Sequence, residues 1–204
     1  MGNLKNITEA IKQLEAGTYV AKDLAAYPYD AEKDYFWHPL GFLMSKLFEE
    51  PPLALRIHIW PKGGGREQNP SWPIHDHIFN MRSWILQGTI RNTVYCESEC
   101  SPNFHLYLAS YKDGESVLRR AKSGICLTKK CEEKYEAGQS YEVEAKVFHS
   151  SSHEKDTTTI TAVLTNSISL DPPRIAGAID GLEEYRYLRS IASKEEVLKI
   201  ISDA

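Results

Sequence analysis

Positive charge is not in surplus in this chain: 24 lysines and arginines stand against 28 aspartates and glutamates, a formal net charge of -4. There is no basic field of the kind that holds nucleic acid or an anionic membrane surface, and neither partner is expected. Long hydrophobic runs are missing too. No stretch approaches the ~18 apolar residues that span a bilayer, and the first residues lack the apolar core of a secretory signal. Gly2 is no myristoylation site, because Asn6 stands where a Ser or Thr is wanted. The expectation is a cytoplasmic protein with reduced thiols. Cysteine is sparse: the C-x3-C and C-x4-C spacings of Cys96, Cys100, Cys126 and Cys131 miss the C-x2-C knuckle of structural zinc sites. Four reduced thiols on strands and loops are expected instead.

Nothing divides the chain internally: there is no repeat, low-complexity tract or Gly/Ser linker. With 42% hydrophobic and 25% charged residues, 204 residues suffice for one ordinary globular core. We therefore expect a single domain over 1–204 in three parts: a helical flank over 1–52, a β-core over 53–168 and a helical flank over 169–204.

The first flank opens with a capping box. Asn6 is followed three residues later by Glu9, and Ile7, Ile11 and Leu14 recur at helical spacing until Gly17. Asp34 to Glu50, rich in Phe, Leu, Met and Trp and ended by Pro51-Pro52, reads as one or two more helices. The period then changes. In Leu53 to Trp60, Leu55, Ile57 and Ile59 alternate with Arg56, His58 and Trp60, the pattern of a strand with two distinct faces. Strand-like segments recur around 74–80, 82–95, 104–111, 115–121, 124–130, 141–148 and 157–165. Asp113-Gly114 and Ser123-Gly124 are expected to be turns. Many short strands at such spacing imply an antiparallel sandwich or barrel. Pro172-Pro173 closes this region, Leu182 to Ala192 reads as helix, and Ser193 with Glu196 is a second capping box.

Seven histidines are present, two of them as His75-Asp76-His77. In extended backbone, residues two apart project from one face, so both imidazoles reach one point. Neutral imidazole suits iron, zinc, copper and nickel, which makes H-x-H a natural half-site for a metal. Gly88 follows His77 by eleven residues, and Gly138 precedes His149 by the same number.

His75, His77, Gly88, Gly138 and His149 together resemble the two cupin motifs, G-x5-H-x-H-x3-4-E-x6-G and G-x5-P-x-G-x2-H-x3-N. The resemblance implies a double-stranded β-helix, or jelly-roll barrel, with the terminal helices packed on it. It implies a metal held by His75, His77 and His149. Met81 stands where the motif has its ligand Glu, Glu144 and Lys146 where the second motif has its Pro and Gly, and His153 at the final Asn. Within the cupins, Ile74 to His77 and Leu86 to Gly88 look most like the thiol dioxygenases. That implies Fe(II), with zinc, nickel or manganese as alternatives, together with O2 and a small-molecule substrate such as a thiol. Pairing through the sheets as a homodimer is a further expectation from the resemblance. In place of that group's crosslinking cysteine stands Met81, and its Tyr-x-Arg pair and Ser-x-His-x-Tyr run have no counterpart here.

The remaining candidates follow from strand parity. Arg56 and His58 share a face that suits a cavity wall and the binding of an anionic substrate. Met81 shares the parity of His77 and suits an apolar pocket lining. His153, four residues beyond His149, is a candidate proton shuttle. Arg82 is a candidate catalytic arginine, although its parity turns it outward unless a bulge intervenes. A dioxygenase is the first reading. The alternatives are a non-oxidative metal-dependent isomerase, decarboxylase or hydrolase, and a non-enzymatic ligand-binding cupin.

Overall fold

The computed structural model describes residues 5–112 and 114–204, without the side chains of residues 112, 122 and 123. Gly2, and Asp113 of the expected turn, lie outside the described residues.

The chain opens with α1 (Ile7–Ala16) and α2 (Ala21–Asp30), then β1 (Tyr35–Trp37), β2 (Leu43–Glu50) and β3 (Leu53–Trp60). After the histidine segment come β4 (Phe79–Gln87), β5 (Thr89–Glu97), β6 (Phe104–Lys112), β7 (Glu115–Ile125) and β8 (Leu127–Glu136). The remainder is β9 (Ser140–Val143), β10 (His149–His153), β11 (Thr159–Ser167), β12 (Arg174–Gly177), β13 (Glu184–Leu188), β14 (Ile191–Ala192) and α3 (Lys194–Ser202).

These strands form a seven-stranded sheet in the order β14-β1-β2-β3-β11-β4-β9, a three-stranded sheet β10-β5-β8 and a four-stranded sheet β12-β6-β7-β13. Neighbouring strands pair antiparallel, as β3 does with β11 through Ile57 opposite Ala162. Residues from all three sheets wall one interior cavity of about 460 Å³. The architecture is the expected mainly β jelly roll with helices packed on it. None of the described helices is long and apolar enough to cross a membrane.

The alternation in β3 places the layers. Leu55, Ile57 and Ile59 are fully buried in a core shared with Ile7 and Leu14 of α1, Leu24 of α2 and Val197 and Ile201 of α3. Fully burying each such side chain contributes about 1.5–3 kcal/mol. The opposite face of β3, with Arg56, His58 and Trp60, lines the cavity. The helices therefore roof the outside of the large sheet, and its inside faces the cavity.

Both N-caps form, without the reciprocal glutamate bond that would complete a capping box. Asn6 Oδ1 accepts from the Glu9 N–H at 2.9 Å and Ser193 Oγ from the Glu196 N–H at 3.2 Å. Gly17 ends α1 in the left-handed conformation, at φ 65°. Gly88 turns β4 into β5 at φ 75°, where a Cβ would also fall 2.3 Å from Thr159 Oγ1.

The flanks differ from expectation. Residues 34–50 form β1 and β2 rather than helices, and Leu182 to Ala192 supplies β13 and β14 rather than a helix, so both flanks are only partly helical. Apolar richness suits a buried helix or a strand equally. The choice falls to pairing partners distant in sequence: β2 on β3, β13 on β7, β14 on β1. Helix α2 was not anticipated. The run from Ser123 to Gly124 is no turn but the end of β7, and Gly124 is there for close approach, since a Cβ would lie 2.6 Å from Pro102 Cβ. The thiols also depart from expectation. Cys100 and Cys126 form a disulfide across a Cα separation of 5.7 Å, while Cys96 and Cys131 are free and exposed. The Ser98 N–H on Cys126 O, at 3.0 Å, draws the loop carrying Cys100 onto the start of β8.

Candidate metal centre

His75 lies in extended chain before β4, bridging to His149 on one side and Ile175 on the other. Its backbone N–H donates to His149 O at 3.0 Å, and the His149 N–H returns to His75 O at 2.8 Å. The two-residue period then turns His77 the same way as His75, toward β10. A third tie comes from Lys146, whose N–H donates to His77 O at 2.9 Å. Lys146 has φ 65°, the left-handed conformation that favours glycine, at the position where the cupin motif has its Gly.

The three imidazoles converge. Their candidate ligand atoms lie within 4.8 Å of one another, and His75 Nε2 is 3.1 Å from His77 Nε2. Two tautomers are set by acceptors behind the rings. His75 Nδ1 lies 2.8 Å from Pro73 O and His149 Nδ1 lies 2.8 Å from Asn92 Oδ1, so each Nδ1 carries the proton and each Nε2 a lone pair. His149 Nε2 is buried without a hydrogen-bond partner, as is His77 Nδ1. Burial pulls the imidazolium form down in all three, furthest in His77 and His149, where the neighbouring rings add to it. Neutral rings with lone pairs facing one point are what a cation requires, and a cation shared by one nitrogen of each ring would satisfy the unpartnered His149 Nε2. The residues fit a divalent metal.

Asp76 holds the segment from behind. It is fully buried, and its carboxylate accepts from the Arg174 backbone N–H and from Arg174 Nε, both at 2.6 Å. The Asp76 N–H donates to Arg174 O at 2.9 Å. Arg174 in turn reaches Lys146 O at 2.9 Å and Glu97 at 3.1 Å. One arginine thus ties β12, the histidine segment and the turn before His149 together.

Of the other sequence candidates, Arg56, His58 and Met81 line the cavity with the three histidines. Arg56 Nη1 donates to Thr165 Oγ1 at 2.9 Å, and the guanidinium lies 5.1 Å over the Phe79 ring. Burial takes His58 down to about 3, and its Nε2 has no partner. Met81 is 7% exposed and packs with Ile85 and Val163. Two candidates are corrected. Arg82 points to the outer face, 3.3 Å from Glu15 and 3.7 Å from Glu142, because β4 keeps its parity without a bulge at this point. His153 lies beyond the cavity, its Nε2 3.0 Å from Pro61 O and its ring against Trp60. The run from His149 to His153 forms β10 on β5.

Sequence reasoning missed Asn92, the role of Asp76 with Arg174, and two further groups on the cavity wall, His38 and Arg189. Asn92 left a signal: it shares strand parity with Ile90, and a polar residue at an inward position of a β-strand needs a buried partner. Arg174 and Arg189 left none, since they arrive from the far end of the chain.

No family model and no curated protein matches this sequence. Among solved structures it is similar to the cupin domain of Schizosaccharomyces pombe Cnp3, with 14% identity over 63% of each chain and a TM-score of 0.40. It is also similar to hydroxypropylphosphonic acid epoxidase from S. wedmorenis, with 16% identity over 67% of this chain and 56% of that one and a TM-score of 0.41. A cupin-like protein from Thermotoga maritima aligns at 11% identity over 81% and 87% of the two chains, TM-score 0.39. The chain spans less than two thirds of the first two. Identities this low say nothing about the reaction this chain carries out.

Proposed function

We propose that this chain is a mononuclear metal-dependent cupin enzyme, an Fe(II) dioxygenase that acts on a small metabolite held in the interior cavity. The observation that carries the reading is the donor set: three neutral imidazoles around one point, with Asp76, the nearby carboxylate, turned away into Arg174. His75, His77 and His149 would hold the iron as three neutral donors, leaving it its positive charge, and it would supply redox chemistry toward O2. The protein's own groups do the rest. Pro73 O and Asn92 Oδ1 hold the tautomers, and the apolar walls around Met81, Phe79 and Trp60 exclude water. Arg56 and His58 face the cavity from β3 as polar groups that orient a substrate. Thiols, the class implied by the resemblance to thiol dioxygenases, belong among the substrates to be screened.

The test is metal content by mass spectrometry on anaerobically purified protein, beside His77→Ala and His149→Ala. Near-stoichiometric iron that both substitutions abolish with folding intact, followed by O2 uptake with a small-molecule substrate, is the expected result. No bound metal after reconstitution would overturn the metal reading. Turnover that persists without O2 would replace the dioxygenase by a Lewis-acid enzyme.

A further inference from the structure

Two arginines on the cavity wall, Arg56 and Arg189, have no carboxylate in direct contact among the described residues. Arg56, on β3, donates to the Thr165 hydroxyl and lies over Phe79. Arg189 enters from the segment between β13 and β14. Its Nε donates to Ser116 Oγ at 3.2 Å, and its guanidinium lies 4.6 Å over the Tyr111 ring. Neither makes an ion pair with any described carboxylate, whereas the other charges on this wall are matched. Asp76 is taken by Arg174, and Lys46 by Glu49 at 2.6 Å. Burial lowers the pKa of Arg56; the Glu49 carboxylate opposes this in part, and Arg189 adds a smaller lowering. The neutral imidazoles do nothing to offset them. Charge left unpaired in a low-dielectric pocket is costly, and such sites recruit a counter-ion of matching geometry. The planar fork of each arginine matches a carboxylate.

Much of the rest of the wall is apolar. Phe42, Trp60, Phe79, Ile90, Tyr141 and Val163 face the same space. At about 460 Å³ the cavity falls within the range that encloses a drug-sized molecule.

We propose that the ligand of this cavity is an amphipathic organic acid, its carboxylate held by Arg56 and Arg189 and its apolar body laid along the aromatic wall. The assignment of that acid as substrate rests on the metal-enzyme reading above; the anion subsite itself does not need the metal. Two arginines from opposite ends of the sequence make the subsite, so it forms only in the folded chain. The acid end is thereby fixed by the protein, and the body of the ligand is what extends toward the three histidines.

The experiment is isothermal titration of the full-length protein, with and without Co(II), by three probes: 4-phenylbutyrate, its neutral amide 4-phenylbutanamide, and inorganic phosphate. The acid is expected to bind at least about tenfold more tightly than either other probe, with or without Co(II), the difference made by charge-assisted hydrogen bonds to one carboxylate. In Arg56→Met and Arg189→Met the preference for acid over amide shrinks toward unity while Co(II) still binds at one per chain. Equal affinity for acid and amide, or no measurable binding of either, overturns the proposal, and so does a preference that both variants keep. Phosphate binding as tightly as the acid overturns the amphipathic part. An acid preference in a protein that binds no Co(II) would sink the metal reading and leave this one standing. Co(II) binding with no acid preference would do the reverse.

Discussion

Replacing Arg174 by Met should be among the most damaging single changes near the site, although Arg174 is not a candidate ligand. The Asp76 carboxylate is fully buried, and the Arg174 side chain, 26% exposed, is its charge partner at 2.6 Å. Removing one member of a buried pair costs about 3–5 kcal/mol, because the other charge is left without compensation. The Arg174 backbone N–H would still donate to Asp76, so the lower end applies, about 3 kcal/mol. At about 2–4 °C per kcal/mol for a chain of this size, the midpoint should fall by about 6–12 °C. Urea denaturation of the metal-free protein at neutral pH measures the free energy directly. The same loss should loosen the His75–His77 segment and weaken Co(II) binding by about 10–100-fold. If the cost comes from the stranded carboxylate, Asp76→Leu combined with Arg174→Met should be no less stable than Arg174→Met alone. A cost below about 1 kcal/mol for Arg174→Met, or a double variant as damaged as the two singles added, would refute the reasoning.

Three further outcomes follow from the same geometry. Asn92→Ala removes the acceptor behind His149 and should weaken Co(II) binding by about 10–100-fold in chelator competition, while Asn92→Asp, which keeps an acceptor, should retain it. Lys146→Gly relieves a left-handed backbone that costs a side-chain-bearing residue about 1 kcal/mol, so it should leave stability unchanged or raise it by up to that amount. His58, with its pKa taken from 6.5 to about 3 by burial, binds its proton more readily in the unfolded chain. Its contribution to stability is therefore present above pH 6.5 and lost as pH falls through the window from 6.5 to about 3. Between pH 7 and pH 5 that amounts to about 2 kcal/mol, and His58→Leu should flatten the pH dependence of the denaturation free energy by about that much.

Local periodicity was enough to place several elements. The N-caps at Asn6 and Ser193 work within one turn of helix, so nothing distant can override them, and α1 and α3 stand where they were expected. The alternation of Leu53 to Trp60 was legible because its two faces meet different surroundings, apolar helices outside and the cavity within. The H-x-H spacing put two imidazoles on one side for a reason internal to extended backbone. The cupin spacing then pointed to His149, which the fold brings within reach of both. Tertiary structure decided the rest. Residues 34–50 and 182–192 became strands because edges of existing sheets offered hydrogen bonds that no local pattern announces. The serines between His149 and His153 became β10 for the same reason, carrying His153 past the cavity. Asn92, Asp76 with Arg174, and the two unpaired arginines act through partners dozens of residues away, which a one-dimensional pattern does not record. Spacing along the chain could say which imidazoles face one way; only the folded sheets could say what stands behind them and what charge lines the space in front.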